Sequence, residues 1–141
     1  MKEDFNRFWD STVTECYEQP LNYVFEDYPY ALDSVCVKRF YFDGFRCGRI
    51  DGLYIAPKKF QGKLPVMLFS HGYSTRIFCV SQYLRWIIAG YAVFALNVRG
   101  QGESKTDNIP NNRVVSGIMT RGIEDRENYI YRYIYADFQR A

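Results

Sequence analysis

Apolar side chains fall at helical intervals along the first eighteen residues: Phe5, Phe8, Trp9, Thr12, Val13 and Cys16 form one stripe, and Pro20 closes the segment. The spacing predicts an amphipathic helix from about Asp4 to Glu18. A turn-rich stretch containing Pro20 and Pro29 follows. Val35 to Asp43 and Arg49 to Ala56 then read as β-branched and aromatic runs about a glycine-bearing turn, Asp43-Gly44 to Gly48. That pattern predicts an antiparallel hairpin. Pro57 to Pro65, with Lys58, Lys59, Gln61, Gly62 and Lys63, reads as a polar surface loop.

The hydrophobic pattern changes at Pro65-Val66-Met67-Leu68-Phe69-Ser70, a continuous apolar run without alternation. A central parallel strand covered on both faces reads this way. Between about Phe78 and Ala89, Val80, Leu84, Ile87 and Ile88 recur at helical intervals, with Gly90 where a C-terminal cap belongs. A second buried run, Tyr91 to Val98, completes a β-α-β unit. An irregular stretch over 103–123 is longer than a plain connection requires and points to a functional or interface role. The chain closes in a helix from about Asp125, with Ile130, Tyr133, Ile134, Phe138 and Ala141 on one side. Its tyrosines, Tyr129, Tyr131, Tyr133 and Tyr135, point around more than one face. The expected fold is α/β with helices on both faces of one sheet. The sheet also reads as incomplete, because an apolar strand such as Val66 to Ser70 needs neighbours on both edges.

At 141 residues the chain has room for one domain, taken as 1–141. Its 18 Lys+Arg against 16 Asp+Glu leave +2, too even a balance for a nucleic acid or an anionic membrane as partner. No run approaches the roughly 20 apolar residues of a membrane span, and Met1-Lys2-Glu3-Asp4 does not open a signal peptide, so a cytoplasmic location is expected. Cys16, Cys36, Cys47 and Cys79 show no C-x-x-C spacing and His71 is the only histidine, so neither a metal site nor a cofactor is expected. The four thiols are read as reduced and mostly buried. Aromatic residues make up 18% of the chain, a large apolar area that needs cover.

Candidate chemistry gathers where the apolar strand ends, at Ser70-His71-Gly72-Tyr73, the carboxyl end at which α/β sheets build their sites. Two readings stay open there. An H-G-x segment can turn a backbone N–H, here that of Tyr73, toward a developing oxyanion. It can equally be a tight turn whose buried histidine is satisfied by backbone. No G-x-S-x-G is present, and no serine among Ser11, Ser34, Ser70, Ser74, Ser81, Ser104 and Ser116 has the flanking glycines of a nucleophile elbow. Ser70 and His71 are not a dyad, since successive strand side chains point to opposite faces. Nothing beside any cysteine marks a depressed thiol pKa. Arg99-Gly100-Gln101-Gly102 lacks a P-loop lysine and a third glycine, and reads as a tight turn rather than a phosphate cradle. The acidic residues Glu103, Asp107, Glu124, Asp125, Glu127 and Asp137 form no evident carboxylate pair.

Three blocks together carry a resemblance: His71-Gly72-Tyr73; Ala89-Gly90-Tyr91-Ala92-Val93 through Asn97-Val98-Arg99-Gly100-Gln101-Gly102; and Gly117-Ile118-Met119-Thr120-Arg121-Gly122-Ile123 with the closing Tyr129 to Ala141. In this order and spacing the chain resembles the acetyl xylan esterase / cephalosporin C deacetylase family, serine esterases of α/β-hydrolase fold. The resemblance implies the amino-terminal part of such a fold, with no cofactor. It implies a small acetylated saccharide or ester as substrate, including cephalosporin C, and a homo-oligomer, a hexamer, for the full-length enzyme. It makes the Tyr73 backbone N–H an oxyanion-hole donor, with His71 and Gly72 in the substrate-side loop. The nucleophile, acid and histidine of the family lie beyond the span matched here, so this chain alone is expected to be inactive. The rival expectation is a non-catalytic fragment that docks a partner through its open sheet edge; a carbohydrate-binding module is a third, disfavoured because the aromatics follow core periodicity. Two positions depart from the family pattern. Ser74-Thr75-Arg76 follows Tyr73 where glycine is usual, and Asn97 stands where aspartate precedes R-G-Q-G.

Overall fold

The computed structural model describes residues 2–46, 48–77, 79–104 and 117–141. The elements in chain order are α1 (Lys2–Glu18), β1 (Val24–Asp27), β2 (Val35–Gly44), β3 (Gly48–Pro57), β4 (Val66–Ser70), α2 (Leu84–Ile88), β5 (Ala92–Leu96) and α3 (Ile130–Arg140). One mixed sheet has the order β1-β2-β3-β5-β4. All pairs are antiparallel except β4 with β5, which run parallel with Val66 opposite Ala92 and Ser70 opposite Leu96. This is the α/β architecture expected, with the sheet unfinished at β4.

Alternation along the strands sends side chains to two different cores. Val37, Ile55, Val93 and Ala95 meet Val80 and Ile87 on the α2 face. Phe40, Phe42, Ile50 and Leu96 pack with Phe138 of α3 on the other. The period-2 geometry of extended backbone allows one strand to serve both layers. On the second face α1 lies against α3, and Cys16, Phe45, Tyr133 and Ala136 fill the space between them and the hairpin turn.

Several sequence expectations are corrected here. Val66–Ser70 is an edge strand: Met67 and Phe69 are half-covered on the α2 side, whereas Val66 and Leu68 on the other face are 55% and 45% exposed. β1, an exposed strand between two prolines, has no apolar alternation to reveal it and forms by pairing with β2. The expected helix over 78–89 is a 3-10 turn, Val80–Tyr83, followed by the short α2; Gly90, at φ +88, ends it, with Gly90 and Tyr91 N–H donating to the Ile87 and Trp86 carbonyls. α3 starts five residues later than expected, because the Asp125 carboxylate accepts Glu127 N–H and the Asn128 amide and holds a turn there. Of the thiols, Cys16 is buried, Cys36 half-buried and Cys79 exposed, so burial does not describe them as a group; Cys47 lies outside the described residues. The irregular 103–123 stretch falls outside them over 105–116. No helix among the described residues is long and apolar enough to cross a membrane.

A buried ion pair ties the layers together. Arg99, which follows β5, gives its Nε to Asp137 Oδ2 at 2.7 Å and its Nη2 to Asp137 Oδ1 at 2.6 Å and to the Phe45 carbonyl at 2.8 Å. Asp137 Oδ1 also accepts Phe45 N–H at 2.7 Å. Burial pushes the Asp137 carboxyl up, while Arg99 and the Phe45 N–H pull it back down. Gly44 and Gly48 flank this pair because a Cβ at either would collide with the Arg99 guanidinium. Three segments distant in sequence, the hairpin turn, the R-G-Q-G turn and α3, therefore meet at one charge pair.

Candidate functional site

The parallel strands β4 and β5 end side by side, and the loops leaving them, 71–77 and 97–104, cross-tie through side-chain-to-backbone bonds. His71 Nε2 accepts Val98 N–H at 2.9 Å, and Nδ1 lies 2.8 Å from the Gly72 carbonyl. Since Nε2 accepts, the network assigns the ring proton to Nδ1, which donates to Gly72. Both ring nitrogens are thus spent on backbone. His71 has no lone pair left for a serine or a thiol, which disposes of a Cys–His pair as well as the Ser70 dyad; Ser70 Oγ donates to the His71 carbonyl at 3.1 Å.

The clamped carbonyl belongs to the peptide unit whose other end is the Tyr73 N–H. That unit is trans, so the N–H points away from the imidazole. It donates to no acceptor among the described residues. Tyr73 itself is 51% exposed and lines a cleft of about 430 Å³ with His71, Val98, Gln101, Tyr131 and Tyr135. A second cleft of about 560 Å³, on the α2 side of β4, is lined by His71, Gly72, Arg76, Arg85 and Trp86. Of the two H-G-x readings, the histidine, half-buried rather than buried, is satisfied by backbone, and the Tyr73 N–H beside it has no acceptor among the described residues.

The two departures from the family pattern acquire physical accounts. Ser74, the first residue of the Ser74-Thr75-Arg76 segment, sits at φ +59, the left-handed region that glycine adopts freely, and its N–H donates to Gln101 Oε1 at 2.6 Å. Asn97 uses both ends of its amide: Oδ1 accepts Ile77 N–H at 2.9 Å, and Nδ2 donates to Asp51 Oδ1 at 3.0 Å. An aspartate at 97 would set a second carboxylate against Asp51. Asp51 is itself held by Arg39 at 3.1 Å and by the buried Ser104 hydroxyl at 3.1 Å. Gly102 keeps the turn close, since a Cβ there would lie 2.5 Å from Asn97 Oδ1. Arg99-Gly100-Gln101-Gly102 is a hydrogen-bonded turn, with Gln101 N–H on the Val98 carbonyl and Gly100 N–H on the Ser104 carbonyl, both at 2.9 Å.

Sequence reasoning located His71, Gly72 and Tyr73 together, and missed what holds them: Asn97, Gln101 and, behind them, Asp51 and Ser104. It also missed Cys79, whose exposed thiol is shifted downward by the Ser81 hydroxyl at 3.0 Å and by the backbone N–H groups of Gln82 and Ser81. A sulfur two residues before a serine at a helix start is the available signal.

A family model described as Acetyl xylan esterase (AXE1) matches residues 1–141. Among solved structures, an acetyl xylan esterase from Paenibacillus sp. R4 superimposes with a TM-score of 0.88 at 33% identity, over 95% of this chain and 44% of that one. Acetyl xylan esterase 1 from Thermoanaerobacterium sp. JW/SL YS485 does so with a TM-score of 0.87 at 30% identity, over 96% and 43%. The chain spans less than half the length of the solved relatives it matches.

Proposed function

Because the chain belongs to the acetyl xylan esterase family, matched along its whole length, we propose that it is the amino-terminal part of a serine carbohydrate esterase. In this reading residues 1–141 are one partial domain. The assembled enzyme removes acetyl groups from acetylated xylo-oligosaccharides and from small esters of the cephalosporin C type, in the cytoplasm and as a homo-oligomer. A serine attacks the acetyl carbonyl, two backbone N–H groups hold the tetrahedral oxyanion, and acetate leaves through an acyl-enzyme. This chain supplies one of the two donors, the Tyr73 N–H, with His71 and Gly72 as its support.

The observation that carries the proposal is the Gly72–Tyr73 peptide unit. His71 holds it at its carbonyl, and its N–H is left without an acceptor among the described residues at the carboxyl end of β4. One such donor lowers the barrier by about 3 to 4 kcal/mol in a complete site and does nothing without a nucleophile. The open edge of β4 supports the same reading: a strand added there parallel to β4 would bring its own carboxyl end beside Tyr73.

The test is reconstitution. The 141-residue chain alone should not hydrolyse an acetyl ester; joined after Ala141 to the part of the Paenibacillus esterase that it does not cover, it should show saturable hydrolysis. Turnover by the chain alone, or an inert assembly that is folded, overturns the proposal. The exposed Val66 and Leu68 favour one second reading, a non-catalytic piece that docks a partner along β4. A chain that sediments as a monomer at every concentration would argue against it.

A further inference from the structure

Two peptide units flank the Tyr73 Cα, and a different side chain holds each. His71 grips the first at the Gly72 carbonyl. The second carries the Ser74 N–H, which donates to Gln101 Oε1 at 2.6 Å. Ser74 is left-handed at φ +59, a conformation in which its Cβ crowds the neighbouring carbonyl, so it relaxes to negative φ unless something holds it. The loop is pinned on either side, at the His71 ring by Val98 N–H and at Ile77 N–H by Asn97 Oδ1. A flip at Ser74 is therefore absorbed between these pins, and the peptide unit joining Tyr73 to Ser74 is one of those that would turn. Gln101 is well placed to prevent it: its own N–H is fixed on the Val98 carbonyl, and it stands between Gly100 and Gly102, at φ +73 and +58.

We propose that Gln101 is a positioning residue for the Tyr73 amide: by accepting Ser74 N–H it keeps Ser74 left-handed and so fixes the direction from which the Tyr73 N–H meets the oxyanion. The proposal rests on the reading of Tyr73 as an oxyanion donor.

Two measurements test it. In the 141-residue chain, Gln101→Ala should speed exchange of the Ser74 amide by about fivefold or more, as read by NMR; an unchanged rate overturns the proposal. In the assembled enzyme, kcat per site, counted by titration with a serine-directed phosphonate, should fall about 10- to 100-fold in Gln101→Ala with KM held within about twofold. Adding Ser74→Gly should recover most of that loss, because glycine adopts the conformation unaided. An unchanged kcat per site, or a loss that Ser74→Gly does not recover, overturns the proposal. An inert assembly overturns the esterase reading and the oxyanion role with it, while the exchange rate alone still decides whether Gln101 holds the loop.

Discussion

Asn97 and Asp51 meet amide to carboxylate at 3.0 Å, both buried, and this contact decides which residue position 97 accepts. Asn97→Asp keeps the acceptor for Ile77 N–H but replaces a donor by a second negative charge. It should cost about 2 kcal/mol, read as a lowered urea midpoint, and Asp51→Asn in the same chain should recover most of it. Residue-scale chemistry was partly legible. H-G-Y at a strand end located the loop, whereas the tautomer of His71 and the grip of Gln101 depend on Val98 and Ser74, to which no local pattern points. Arg99 reads in sequence as part of a glycine turn, and only the fold shows it at 1% exposure, bonded to a helix 38 residues later.

At the scale of elements, ion pairs do the joining. Asp137→Ala strands a buried guanidinium and should destabilise the chain by about 3 to 5 kcal/mol; the paired change Arg99→Met with Asp137→Leu should cost less than the single one, as chemical denaturation would show. The tie between α1 and the hairpin turn is different in kind. Arg46 Nε lies 2.6 Å from Glu15 Oε1, and this hydrogen bond holds the Glu15 carboxyl below its ordinary value of 4.5. A depressed carboxyl stabilises the fold above its unfolded pKa, and the contribution disappears as pH falls through the folded one. Glu15→Gln should therefore flatten the stability curve on the acid side of about pH 4.5, by less than about 1 kcal/mol since both side chains are partly exposed. α1 and the hairpin were legible because burial imposes a period on them, and the two parallel strands because they are unbroken apolar runs. β1 was not, because its four exposed residues owe their strand to β2 rather than to their own pattern.

Across the whole molecule the dominant feature is the flank of β4, which no strand among the described residues covers. An apolar parallel strand with a free row of N–H and C=O groups recruits other chains, so the isolated polypeptide should self-associate, and Val66→Lys with Leu68→Lys should shift sedimentation toward monomer. The unbroken apolar run in the sequence already implied neighbours on both sides; that it ends up at an edge is a property of the residues present, and no window of sequence shows an edge. The Arg99–Asp137 pair has its own consequence for how such a chain comes into being. During synthesis the hairpin turn and Arg99 emerge first, and the carboxylate that neutralises the guanidinium and anchors the Phe45 backbone arrives only when α3 is made. Until then the nascent polypeptide carries a cation whose carboxylate partner has yet to be made, so the α3 side of its core cannot close early, whereas the α2 side needs neither residue. Closure of the layer between the hairpin turn and α3 is timed by the ribosome's delivery of residue 137.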